Sequence, residues 1–243
     1  MRYLVWRLLG VALVLALTRP GRAEDKDCRA IIDKAIKAVG GKEQLAKYKA
    51  QTWNEKGTFY GEGAAQPYTG KYAVQWPGQF RMEIEGVFTI VLNGDQGWLS
   101  SGGNTQELTK EQLAQQKESH YAGWVTTLLP LSDNAFQLTS LAESKVGERP
   151  AVGIKVAHKS HNDVKLYFDK GNGLLLRSEY RYKDWMTGTE REMVSTYDGY
   201  KDVGGLKLPT KIELKRDGNK FVEAENEDVK PAEKLDASVF AKP

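Results

Sequence analysis

The chain has 243 residues, with 35 Lys and Arg against 32 Asp and Glu. Residues 1–23 hold four of the arginines and no acid, so the other 220 are near neutral, 31 basic against 32 acidic. That balance argues against nucleic acid or an anionic membrane surface as a partner. Cys28 is the only cysteine, so no intramolecular disulfide can form, and 220 residues suit one β-rich domain with a sizeable core.

The chain opens with the marks of a secretory signal peptide. Arg2 and Arg7 give a positive start, Leu8 to Leu17 is a short apolar run, and Gly21-Arg22-Ala23 puts small residues where a signal peptidase reads. The run is shorter than a membrane span, which favours a cleaved leader over an anchor, and no later stretch approaches spanning length. The expected division is therefore a signal peptide over residues 1–23 and a single exported domain over 24–243. Lys26-Asp27 before Cys28 do not fit a lipoprotein signal. The thiol reads as part of a flexible start, or as a group able to cross-link two chains.

"CRAIIDKAIKAVGG" predicts a helix. Ile32, Ile36 and Val39 share a face, Asp27 stands where a cap would, and Gly40-Gly41 ends it. "KEQLAKYKA" adds a short helical turn. From Thr52 the texture becomes strand-like. Tyr72, Val74 and Trp76 alternate with Ala73 and Gln75, then Pro77-Gly78 turns the chain. Phe80, Met82 and Ile84 alternate with Arg81, Glu83 and Glu85. Two further strands, Val87 to Leu92 and Gly97 to Ser100, flank an Asn-Gly-Asp turn.

Between residues 109 and 129 the period changes. Thr109 and Gln112 have capping-box spacing, and Leu113, Tyr121, Trp124, Val125, Leu128 and Leu129 follow helical spacing until Pro130. Strands then return over 137–146, 151–156, 164–168, 173–182, 190–197, 206–215 and 220–228, joined by Gly-, Pro- and Asp-rich turns. This is an α+β pattern: a large curved antiparallel sheet with two to three helices. Tyr72, Val74, Trp76, Phe80, Met82, Ile84, Val164, Leu166, Phe168, Leu174, Leu176, Tyr180 and Tyr182 can all lie on one face of that sheet. With so little helix to cover it, such a face either packs as a core or leaves a cavity, and the pattern alone does not choose.

The chemistry-bearing residues are sparse. "HKSHND" sets His158 and His161 near Asp163 but lacks a third metal ligand, and reads as a polar hairpin tip. His120 reads as a surface or partly buried residue of the inserted helix rather than a base. No phosphate loop, nucleophile elbow or zinc-protease motif is present, and Glu83, Glu85, Glu179 and Glu213 lie on the polar phase of strands. The expectation is a protein that is not an enzyme, with no catalytic residue, no metal and no cofactor.

Several stretches carry a resemblance. "YTGKYAVQWPGQFRMEIE" followed by "IVLNGDQGW" resembles the strand-Pro-strand core of the outer-membrane lipoprotein carriers, the LolA/LolB-like proteins. "LDASVFAKP" resembles an ending found near that family's C-terminus. "FDKGNGLLLRSEYRYKD" with "YDGYKDVGGLKLPTKIELKRDG" is similar to the late strands of outer membrane lipoprotein-sorting proteins. The resemblance implies an unclosed β-barrel whose helices cover an apolar cavity, in the periplasm of a Gram-negative-type envelope. It implies a carrier for lipids or lipoprotein acyl chains. The same fold also serves envelope regulators, which makes an envelope protein partner the second reading. The implied cavity residues are Tyr72, Val74, Trp76, Phe80, Met82, Ile84, Leu166, Phe168, Leu176 and Tyr180, and the implied lid residues are Tyr121, Trp124 and Leu128. The carriers commonly place an Arg before the hairpin Pro. Here Trp76 stands there, so the lid is expected to close by apolar packing against Tyr121 or Trp124.

Overall fold

The computed structural model describes residues 21–61 and 63–243. The expected signal peptide lies outside these residues except for its last three. The first helix, α1, runs over Gly21–Ala38, upstream of the start expected at Asp27. That places Cys28 inside the helix, on one stripe with Ile32 and Ala35, and all three are buried. Cys28 is thus a core residue and not part of a loose start. A short α2 follows at Lys42–Lys47.

Six strands then meander: β1 (Ala50–Phe59), β2 (Gln66–Gln75), β3 (Gln79–Ile84), β4 (Phe88–Asn93), β5 (Gln96–Ser101) and β6 (Asn104–Glu107). Helix α3 spans Lys110–Thr126, and its start carries the capping box that Thr109 and Gln112 predict. Five more strands follow: β7 (Gln137–Val146), β8 (Arg149–His158), β9 (His161–Asp169), β10 (Leu175–Lys183) and β11 (Glu190–Asp198). The last are β12 (Lys201–Val203), β13 (Leu206–Leu208), β14 (Lys211–Arg216) and β15 (Asn219–Ala232). The single strand expected over 206–215 is two. Pro209 has no N–H to give a ladder, and the Thr210 amide turns instead to the Asp198 carbonyl at 3.1 Å.

Thirteen strands form one sheet in the order β6-β5-β4-β3-β2-β1-β15-β14-β11-β10-β9-β8-β7, while β12 and β13 pair separately. All its pairings are antiparallel, and those of β1, β7, β9 and β15 are among the ones interrupted by bulges, which add twist and curvature. The edges β6 and β7 do not pair, so the barrel is unclosed. They are joined by the segment that holds α3. The topology therefore carries α3 from one edge of the curved sheet to the other, across its concave side.

That concave side is divided. Over β7 to β10, α1 and α3 pack directly onto the sheet, and Ile32, Val125, Leu131, Ile154, Val156, Val164, Leu166 and Phe168 form a closed core. The Arg29 guanidinium donates to the carbonyls of Leu131 and Phe136, tying α1 to the turn after α3. On the convex side, the "LDASVFAKP" ending closes over β2 to β5. Phe240 is fully buried against Ala73, Val91 and Trp98, and the Leu235 amide donates to Gln75 Oε1 at 2.9 Å. No helix among the described residues is long and apolar enough to cross a membrane.

Candidate ligand-binding cavity

Where α1 and α3 do not reach the sheet, a cavity of about 820 Å³ remains. That is within the range of pockets that enclose a small ligand. One wall is the β2–β3 hairpin. Its register sets Tyr72 opposite Met82, Val74 opposite Phe80, and Gly70 opposite Ile84, so the apolar phases of both strands point inward together. Trp53 of β1 extends this wall, with its indole stacked on the Tyr72 ring at 4.9 Å and 10°. Ile212, Leu214, Phe221 and Val222 of β14 and β15 form the facing wall. The roof is the inner side of α3, with Ser119, His120, Gly123 and Thr126, and the turn at Leu128 and Leu129.

The roof is fastened to the hairpin through His120, which meets the rings of Trp76 and Phe80. The Trp76 indole stacks on the His120 imidazole, 4.6 Å between centroids and 22° between planes. Gly123 permits the approach, because a β-carbon there would sit 3.3 Å from Trp76 Cη2. Burial lowers the His120 pKa to about 4, against a hydrogen bond with the Pro77 backbone that favours the proton. The ring is neutral at pH 7, and its Nε2 is buried without a partner among the described residues. The expected packing of Trp76 on Tyr121 or Trp124 does not occur. Successive helical residues face about 100° apart, so with His120 turned to Trp76 its neighbour Tyr121 faces the closed core. Tyr121 stacks on His161 at 3.8 Å and 5°, and Trp124 meets the edge of Phe136 at 5.9 Å.

Tyr72, Val74, Trp76, Phe80, Met82, Ile84 and Leu128 line the cavity. Leu166 and Phe168 do not: they are buried in the closed core beneath α1 and α3, and Tyr180 packs against the same core. Leu176 is on the opposite face of the sheet, with Ala151 and Tyr167. A bulge between Leu175 and Arg177 adds a residue, so Leu175 takes the inner position opposite Phe168 and Leu176 is turned out. The "HKSHND" hairpin tip is also more than a polar turn. Glu118 of α3 meets His161 Nδ1 at 3.1 Å and accepts from the Asn162 amide at 2.6 Å, which docks the tip on the helix. No group of three His, Cys, Asp or Glu side chains able to hold a metal occurs among the described residues.

A buried carboxylate interrupts the apolar wall. Glu55 is 9% exposed and lies on the cavity-facing phase of β1. Both phenols of β2 reach it: Tyr68 Oη donates to Glu55 Oε1 at 2.5 Å and Tyr72 Oη at 2.8 Å. Two glycines make this possible. Gly57 stands opposite Tyr68 and Gly70 opposite Glu55. A β-carbon on Gly57 would lie 2.6 Å from Tyr68 Cζ, and one on Gly70 2.8 Å from a Tyr72 ring carbon. The rings lean over the bare backbone to reach the carboxylate. Burial, then the Glu55 charge, raises both phenol pKa values. On the far side Glu55 is paired with Asn226, which is 8% exposed and whose Oδ1 has no partner among the described residues. Glu55 is invisible to a search for motifs. Its signal is the phase of "TWNEKGTF", where Trp53, Glu55, Gly57 and Phe59 share a face, so a carboxylate occupies an apolar position.

No family model matches the chain, and no curated protein matches it. Solved structures do. A LolA superfamily protein from Nitrosomonas europaea aligns at TM-score 0.59 and 13% identity, over 88% of this chain and 97% of that one. The fold is thus similar to that of a LolA superfamily protein. An outer membrane lipoprotein-sorting protein domain from Vibrio parahaemolyticus aligns at TM-score 0.59 and 10% identity, over 90% and 97%. A DUF1329 family protein from Desulfovibrio piger gives TM-score 0.59 and 11% identity, over 88% and 97%. At these identities the likeness is one of fold, and it covers nearly the full length of each of these structures.

Proposed function

We propose that this protein is an exported carrier that holds the apolar chain of a lipid, or of a lipidated polypeptide, inside its LolA-like half-barrel. The observation that carries the reading is the cavity itself. About 820 Å³ is lined by Trp53, Tyr72, Val74, Trp76, Phe80, Met82 and Leu214 and roofed by a helix fastened through aromatic rings. A packed core would have filled this space. Each CH₂ buried there yields roughly 0.8 kcal/mol, so a chain of ~16 carbons supplies on the order of 10 kcal/mol before ordering losses. The LolA-like fold, together with the leader expected over residues 1–23 from the sequence, supports a periplasmic site of action, with cleavage proposed after Ala23.

Mass spectrometry of organic extracts of the purified chain tests the reading. A co-purifying lipid, or saturable uptake of a fluorescent fatty acid by the delipidated protein, is the expected result. Absence of both contradicts it. N-terminal sequencing of the periplasmic fraction is expected to begin at Glu24.

A further inference from the structure

We infer that the polar patch at Glu55 is a headgroup site, and that the cavity takes an amphiphile whose polar end is an ammonium. This rests on the carrier reading and adds the chemistry of the ligand's head.

The patch is rich in acceptors. Both tyrosine hydroxyls donate to Glu55 Oε1, which leaves Oε2 without a hydrogen bond among the described residues. Asn226 Oδ1, on the adjoining strand and in the same cavity, is buried and orphaned. No Lys, Arg or His pairs with Glu55 among the described residues. The ion pairs of β1 and β15, such as Lys56 with Glu227 at 2.7 Å, lie on the exposed side. A buried carboxylate with no cation, and a buried amide oxygen with no donor, each forfeit hydration without full return. A guest that brings positive charge and several N–H donors supplies what both lack.

The surroundings suit the same guest. The stacked Trp53–Tyr72 pair stands on the cavity wall beside Glu55, and the Phe59–Phe221 edge contact, 5.1 Å between centroids, lies further along the same wall. Aromatic faces next to a carboxylate are the chemistry that attracts an ammonium. Trp53 Nε1 is also buried without a partner among the described residues, and an ester or hydroxyl oxygen beside the ammonium would satisfy it. A fatty-acid carboxylate placed here would instead oppose Glu55.

Dodecylamine, dodecanol and laurate share one chain length and test the head alone. Each is titrated at pH 7 into the delipidated full chain by calorimetry, below its aggregation concentration. The amine carries its proton at that pH. We expect it to bind about tenfold or more tightly than laurate, with dodecanol between. Glu55→Gln keeps the shape of the side chain and is expected to bring the amine and laurate within about threefold of each other. Asn226→Leu is a second variant, expected to weaken the amine more than dodecanol. Equal binding of all three in the natural chain overturns the headgroup site and leaves the carrier reading standing. Laurate binding tighter than the amine does the same. An amine preference unchanged in Glu55→Gln, with the fold intact by circular dichroism, also overturns it. Failure of all three to bind overturns the carrier reading and this inference with it.

Discussion

The indole of Trp76 and the imidazole of His120 are stacked at 4.6 Å, and through them the β2–β3 hairpin holds α3 over the cavity. The pair replaces the hydrogen-bonding closure expected of an Arg at this place with one made of ring contact. An indole offers one donor and a broad apolar face, so such a closure depends on burial rather than on matched carbonyls.

The first prediction concerns that contact. Trp76→Ala removes the ring that seals the roof and part of the cavity wall. Retention of an acyl chain is expected to weaken by roughly 1–3 kcal/mol. Competition against a fluorescent fatty acid measures the change. Natural affinity in the variant would remove Trp76 from the binding site.

Acid should loosen the same closure. The His120 pKa is lowered from 6.5 to about 4 by burial, so the closed state refuses a proton that an open or unfolded chain accepts. The closed form is therefore fully stable above about pH 6.5 and loses stability as pH falls towards 4, by up to about 3 kcal/mol. Affinity for an uncharged long-chain probe, measured from pH 7.5 to 4.5, is expected to fall across that window. In His120→Gln the fall should be smaller. An identical profile in the two proteins would show that His120 does not govern it.

Gly57 carries a third expectation. Gly57→Ala puts a methyl into the Tyr68 ring and forces the phenol off Glu55. The cost is expected at roughly 1–3 kcal/mol, as for other overpacked sites. Urea denaturation reads the loss. A variant as stable as the natural chain would mean that Tyr68 repacks freely.

Much of the fold was legible because its elements announce their period. The alternation either side of Pro77-Gly78 survives as the β2–β3 wall, and the Thr109–Gln112 spacing becomes a capping box. What stayed hidden depends on contacts distant in sequence or on single-residue slips. The bulge beside Leu176 flips its face, and nothing local in "GLLLRSEY" marks where the extra residue falls. Cys28 is buried because α1 starts earlier than its cap-like Asp27 suggests. The division of the apolar face into a packed half and a hollow half follows from where α1 and α3 come to rest. Strand phase cannot tell Leu166, under the helices, from Phe80, beside the cavity.

A fourth prediction separates stability from binding. Phe240 is fully buried on the convex side against Ala73, Val91 and Trp98, away from the cavity. Phe240→Ala is expected to cost about 3–5 kcal/mol of stability. At a temperature where the variant remains folded, its affinity for a fluorescent fatty acid should match that of the natural chain. A large loss of affinity there would tie the C-terminal segment to the site.

The claim that an apolar chain lies inside the half-barrel is tested most directly by contact quenching with a brominated long-chain lipid. Trp53 and Trp76 line the cavity, whereas Trp98 is buried on the convex side, Trp124 packs against Phe136, and Trp185 is exposed. The expected result is saturable, one-site quenching that is largely lost when Trp53 and Trp76 are both replaced by Phe. Quenching that never saturates, or that persists unchanged in the double variant, would place the chain elsewhere and contradict the account.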